Sequence, residues 1–183
     1  MHPSLLLIDI QNDYFPGGRM ELVGANAAAR NAAFLVERFR KEGREVLHIQ
    51  HVARSPQATF FLPGTEGAEI HPLVAPNPSE PIFVKAFPNS FRETGLLEHL
   101  RKAGTESLVV AGMMSQRCVD TTVRAAFDLG FSIRLAHDAC ATRDLEFLGK
   151  VVPAAQVHAS FMAALGVGFA RVVSTQEVLG ELD

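Results

Sequence analysis

Three residues whose side chains could cooperate in covalent chemistry each follow an apolar run. Asp9 closes "LLLID", Lys85 closes "IFVK", and Cys118 lies just beyond "SLVVAGM". A thiol attacks a carbonyl carbon as the thiolate, and a neighbouring ammonium and a helix N-terminus both favour that anion. A carboxylate beside it can take the thiol proton and later deliver it to a departing amine. Each residue also has an ordinary reading: Asp9 as a solvated strand end, Lys85 as a surface lysine, Cys118 as a packed core thiol. Their convergence argues for chemistry, because ligands of open α/β sheets sit beyond the carboxyl ends of the strands.

The elements that would position them follow from the hydrophobic pattern. Short β-rich runs occur at 5–10, 45–52, 82–87, 107–113, 132–139 and 170–176. Several are apolar on consecutive rather than alternate positions, which suits a parallel sheet covered on both faces. Between them, Ala28, Ala32, Leu35, Val36 and Phe39 mark one helix face, with Gly43 as its stop. Further helices are expected in "TGLLEHLRKAG", in "CVDTTVRAAFDLG" with Cys118 as its first residue and Gly130 as its stop, and in "VPAAQVHASFMAALG". Strand and helix in alternation predict a single α/β domain over residues 1–183, a three-layer doubly wound fold with right-handed crossovers. The proline-rich segment 54–81 breaks the rhythm and reads as a functional loop or lid.

Composition narrows the partners. The chain has 183 residues, 48% hydrophobic and 20% charged, with a net charge of −3 and no Lys/Arg block. That balance argues for a small-molecule substrate, and against nucleic acid and anionic membrane as partners. The opening apolar run is too short for a signal segment and Asp9 interrupts it. Two cysteines make no disulfide framework, so a cytoplasmic location is expected. Cys140, in "DACAT", reads as a buried structural thiol. With no Trp and one Tyr, an aromatic pocket must be built mainly from Phe. Tyr14, Phe15, Phe60, Phe61, Phe87 and Phe91 are the candidates, with Asn89 and Ser90 placed to orient Lys85 or a substrate.

The blocks "LLLIDIQNDYFPGG", "VKAFPNSF" and "GMMSQRCVDTTVRAAFDLGF" resemble the three signatures of the isochorismatase-like cysteine hydrolases, which include nicotinamidases and N-carbamoylsarcosine amidases. The similarity runs on into "DACAT" and "VHASFMAALGVGFARVVST" and so covers essentially the whole chain. It implies a six-stranded parallel sheet flanked by helices and an Asp9–Lys85–Cys118 triad. It also implies a cis peptide at Met113–Met114 and an oxyanion hole from the backbone N–H groups of Met114 and Cys118. The expected activity is hydrolysis of a small carboxamide, lactam or ureido compound through a thioester. The alternatives are vinyl-ether hydrolysis with Asp9 as acid, and a catalytically idle relative.

Several positions depart from the family's patterns. Nicotinamidases carry an Asp-x-His metal motif where this chain reads "HIQHVAR". His48 and His51 on one strand point to opposite faces and cannot easily share an ion, with His71 the one later candidate, so neither metal nor cofactor is expected. Where many relatives have Thr-His before the cysteine, this chain has Ser115, Gln116 and Arg117. Ser115 replaces one hydroxyl by another, whereas Arg117 points either to a substrate carboxylate or outward to a subunit contact. The very apolar last helix pattern suggests a homodimer or higher homo-oligomer.

Overall fold

Consecutive apolar residues place buried side chains on both faces of each central strand, and both faces are covered. A computed structural model describes residues 3–182. Strands β1 (Ser4–Ile8), β2 (Val46–His51), β3 (Ile82–Lys85), β4 (Ser107–Met113) and β5 (Ser132–Ala141) follow in chain order. A hairpin of β6 (Leu145–Phe147) and β7 (Lys150–Val152) comes next, then β8 (Arg171–Val173). The main sheet has six parallel strands in the order β3-β2-β1-β4-β5-β8. The order reverses at the β1/β4 boundary, where a doubly wound sheet opens its crevice.

Leu5 and Leu7 face helices α1 (Ala25–Lys41) and α5 (Thr175–Glu181). Leu6 and Ile8 face α2 (Leu96–Lys102), α3 (Asp120–Asp128) and α4 (Ala154–Gly166). The α1 face expected from the sequence is buried throughout. Truncating Phe39 there to Ala would cost about 3–5 kcal/mol in lost transfer and cavity terms. Among the described residues, no helix is long and apolar enough to cross a membrane.

Two elements differ from expectation. The run 170–176 is a strand only to Val173; Ser174 then caps α5, its hydroxyl accepting from the Glu177 N–H at 3.2 Å while Glu177 accepts from the Ser174 N–H at 2.7 Å. This reciprocal pair satisfies two backbone donors that a helix start leaves free. The β6–β7 hairpin was not expected and carries exposed Phe147, Leu148 and Val151.

The 54–81 segment holds only two 3₁₀ turns, Glu66–Ala68 and Pro72–Val74. It folds back over the sheet edge: Asn12 donates to Glu69 O at 3.0 Å, His71 to Ile10 O at 2.8 Å, and Ala53 to Phe61 O at 2.9 Å. Opposite β1, Gly112 has φ +144° and lies so close that a Cβ would stand 2.1 Å from Ile8 O. Only glycine fits there, and the close approach sets β4 against the point where Asp9 leaves β1.

Candidate active site

Each of the three sequence candidates is delivered by a different strand end. Asp9 follows β1 with φ +51°, a left-handed conformation that Asp tolerates better than most residues. Lys85 is the last residue of β3 and pairs with His51 of β2, so its long side chain must reach past β2 to arrive at β1. Cys118 lies in a π-helical turn, Ser115–Val119, between β4 and α3. The sequence pattern put Cys118 first in its helix; it is instead the fourth residue of this turn. The N–H groups of Arg117 and Val119 both return to Met114 O, at 3.0 and 3.3 Å. The Met113–Met114 peptide is cis, as the resemblance implied.

All three side chains are sealed from solvent: Asp9 is 0%, Lys85 1% and Cys118 3% exposed. Lys85 Nζ donates to Asp9 Oδ2 at 2.7 Å. Asp9 Oδ1 is buried without a hydrogen-bond partner. A carboxylate oxygen of Asp9, a ring nitrogen of His51 and Cys118 Sγ all lie within 4.8 Å of one another. Burial pulls the Lys85 pKa down, but the Asp9 carboxylate and then Cys118 outweigh it, and the pKa ends above its ordinary value. For Cys118, burial and then the Asp9 charge raise the thiol pKa, opposed by Lys85. Desolvation of the anion therefore works against the thiolate that Lys85 and a helix N-terminus favour.

His51, considered in the sequence as a metal ligand, belongs to this cluster. Its Nδ1 lies 3.1 Å from Lys85 Nζ. Its backbone is clamped by buried Gln11, whose Oε1 accepts from the His51 N–H at 2.7 Å and whose Nε2 donates to His51 O at 2.8 Å. A glutamine two residues beyond the aspartate, at the end of an apolar run, was the signal available in "DIQND". Asp13 was also missed: its carboxylate accepts from the Phe61 N–H at 2.6 Å and pins the long loop over the site.

Burial lowers the His51 pKa to about 4, with Asp9 opposing and Lys85 assisting. Between about pH 6.5 and 4 the unfolded chain binds a proton at His51 that the folded chain does not. Stability should therefore fall as the pH drops through that window, read as a declining urea midpoint. By NMR, the His51 ring should stay neutral at pH 6.

Asp9, His51 and Cys118 offer three metal-ligating atoms, but the Lys85 ammonium already bonds two of these residues. The two other candidate histidines, His48 and His71, are not gathered there. His48 Nε2 meets Glu80 at 2.9 Å, and His71 stacks on Phe15 at 3.7 Å.

The pocket candidates separate into two groups. Phe60 and Arg117 together line two cavities of about 270 and 330 Å³ beside the cysteine turn. His51 borders the first and Met114 the second. Tyr14 is buried beneath, its ring 5.9 Å from Phe60 and 4.6 Å from Phe61. Burial first, then Cys118 and Asp9, raise its phenol pKa well above the ordinary value.

The remaining candidates are engaged elsewhere. Phe15 lines a different cavity with His71. Phe87 lies under the Arg92 guanidinium at 3.5 Å. Asn89 accepts from the Phe91 N–H, Ser90 is bonded to Thr122, and Phe91 stacks against Phe131 in the core. The Ser115 hydroxyl is held by His158 Nδ1 at 2.9 Å rather than turned towards a ligand. Cys140 is buried, and burial pushes its thiol up to about 12, in keeping with a structural role.

Residues 3–177 match the family model of the isochorismatase domain. An isochorismatase family protein of Bacillus subtilis, YddQ, is 48% identical over 98% of this chain and 99% of its own. A streptothricin hydrolase of Streptomyces noursei is 35% identical over 89% of this chain and 59% of its own. The crystal structure of a protein described as an isochorismatase hydrolase, from Oleispira antarctica, superposes with a TM-score of 0.94 at 49% identity, covering 97% of this chain and 96% of that one. With its six-stranded parallel sheet and a match across nearly its whole length, the chain is a member of the isochorismatase family of hydrolases.

Proposed function

We propose that the protein hydrolyses a small carboxamide, lactam or ureido compound through a Cys118 thioester. The observation that carries this reading is the division of labour on Asp9. Oδ2 is fixed by Lys85 at 2.7 Å, while Oδ1 is buried and unpartnered in the same cluster as a buried thiol. A buried carboxylate oxygen with no protein donor beside it is a costly arrangement unless it has a proton to accept.

In the reaction, Asp9 takes the thiol proton as Cys118 Sγ bonds to the carbonyl carbon. The oxyanion is received by the backbone N–H groups of Met114 and Cys118. The C–N bond breaks as Asp9 passes its proton to the leaving nitrogen. Water then gives a proton to Asp9 and attacks the thioester, and the departing sulfur recovers that proton. Lys85 keeps the pair electrically balanced through each transfer, and His51, held neutral by burial, accepts a Lys85 hydrogen bond without adding charge. A vinyl ether would need only an acid carboxyl and would give the thiol no task. The streptothricin hydrolase relative is consistent with hydrolysis as the reaction class.

A panel of small amides, lactams and ureas, assayed for released ammonia or amine, tests the proposal. One or more members should turn over, and Asp9→Asn should lower kcat by about 10²-fold or more, the usual weight of a general base. Turnover of an amide unaffected by Asp9→Asn would overturn the assignment.

A further inference from the structure

We infer that the substrate carries a carboxylate close to the bond that is cut, bound by the guanidinium groups of Arg117 and Arg143 at the mouth of the site. This rests on the proposed amide hydrolysis for the identity of the bond, and on the charges around the mouth for the carboxylate.

Arg117 immediately precedes Cys118, is exposed, and its guanidinium makes no hydrogen bond or ion pair to any described residue. It lines both cavities beside the cysteine turn. Arg143 lines the larger together with Phe60 and Met114, and among the described residues its side chain hydrogen-bonds Met20 Sδ and the Asp144 backbone carbonyl and no carboxylate. Several other arginines are matched by carboxylates: Arg40 pairs with Glu80, Arg124 with Asp120, and Arg54, on the rim of the smaller cavity, with Glu93.

Among the described residues, no Asp or Glu lines either cavity, although the chain as a whole is acidic, with 20 Asp and Glu against 17 Lys and Arg. The reacting centre does not supply the missing charge, because the Asp9 carboxylate is already matched by Lys85. Two uncompensated cations therefore face a small concave mouth, where low-dielectric walls concentrate their field. Guanidinium groups bind carboxylates through paired hydrogen bonds, which fixes orientation as well as charge. Cavities of this size lie at the small end of ligand pockets, and Arg117 adjoins Cys118 in the chain, so an anion held there sits close to the scissile carbonyl. Gln116 between the two arginines is already committed, its carboxamide held by the Thr142 hydroxyl and by Met114 Sδ, and so does not compete for the anion.

The test compares alkylation of Cys118 by iodoacetate and by iodoacetamide, followed by peptide mapping and normalised to the same ratio for glutathione. The ratio cancels any change in intrinsic thiol reactivity. Wild type should favour iodoacetate by about tenfold or more over glutathione, a preference that weakens with added salt. The double variant Arg117→Gln/Arg143→Gln should return the ratio to that of glutathione. A wild-type ratio equal to that of glutathione, or a preference that survives in the double variant, would overturn the inference.

A second arm compares kcat/KM for N-carbamoylglycine and ethylurea, which share the ureido group and differ in the carboxylate. The anionic substrate should be preferred by about tenfold or more, with the preference lost through KM in the double variant. Equal hydrolysis of both would sink the carboxylate and leave the amidase reading standing. A clear iodoacetate preference with no hydrolysis of any amide would instead sink the amidase reading and keep the anion site.

Discussion

Cys118→Ser should lower kcat for amide hydrolysis by about 10⁴-fold or more, and Cys118→Ala should do the same. Serine keeps a protonated nucleophile in place, but its hydroxyl is a far weaker acid, and Asp9 is paired with a lysine rather than with a histidine base. Neither change should unfold the protein. Cys118 is a small side chain in the π-turn, and removing its sulfur costs on the order of 1–2 kcal/mol in packing. Thermal unfolding of each variant within several degrees of wild type, measured beside the activity, separates loss of chemistry from loss of fold. Full activity in either variant would remove the thioester from the account.

Lys85→Met is expected to damage both stability and activity. The methionine keeps the length and apolar stem of the side chain but removes the ammonium from Asp9 Oδ2, leaving a carboxylate with 0% exposure and no partner. Breaking a buried pair from one side costs about 3–5 kcal/mol, chiefly from the stranded charge. Removing both charges together, in Lys85→Met/Asp9→Asn, should recover most of that stability while activity stays lost. Urea unfolding of the four proteins in this cycle measures the coupling directly. A double variant no more stable than Lys85→Met would mean that the pair is not what holds this end of the sheet together.

The sheet and the identity of the three reacting candidates were legible because they rest on short-range pattern. Consecutive apolar residues at 5–8 and 108–111 predict strands buried on both faces, and that burial places Asp9 and Cys118 at one edge. Capping chemistry was equally local: Ser174 and Glu177 announce α5, yet the β-branched run "RVVST" drew the strand too far. The destinations of polar side chains were less visible, because they depend on contacts between residues far apart in the chain. Ser115 looked like a pocket hydroxyl until α4 brought His158 to it, 43 positions away. Ser90 met Thr122 in the same manner. His51 shows the converse: its neighbours in sequence said little, and β3 pairing alone set Lys85 beside it. The influences on the Cys118 thiol were only half visible. Residue order displays the lysine and the helix that favour a thiolate, but not the depth of burial that opposes it.

The central claim is a covalent bond between substrate and Cys118, and intact-protein mass spectrometry after rapid acid quench reads it most directly. During turnover of an active amide, the protein should gain the mass of the acyl group without the leaving amine. Peptide mapping should place that mass on Cys118 and not on Cys140, and Cys118→Ser should show none. Sustained amide turnover with no adduct on Cys118, under conditions where thioesters survive the quench, together with activity retained in Cys118→Ala, would contradict the account.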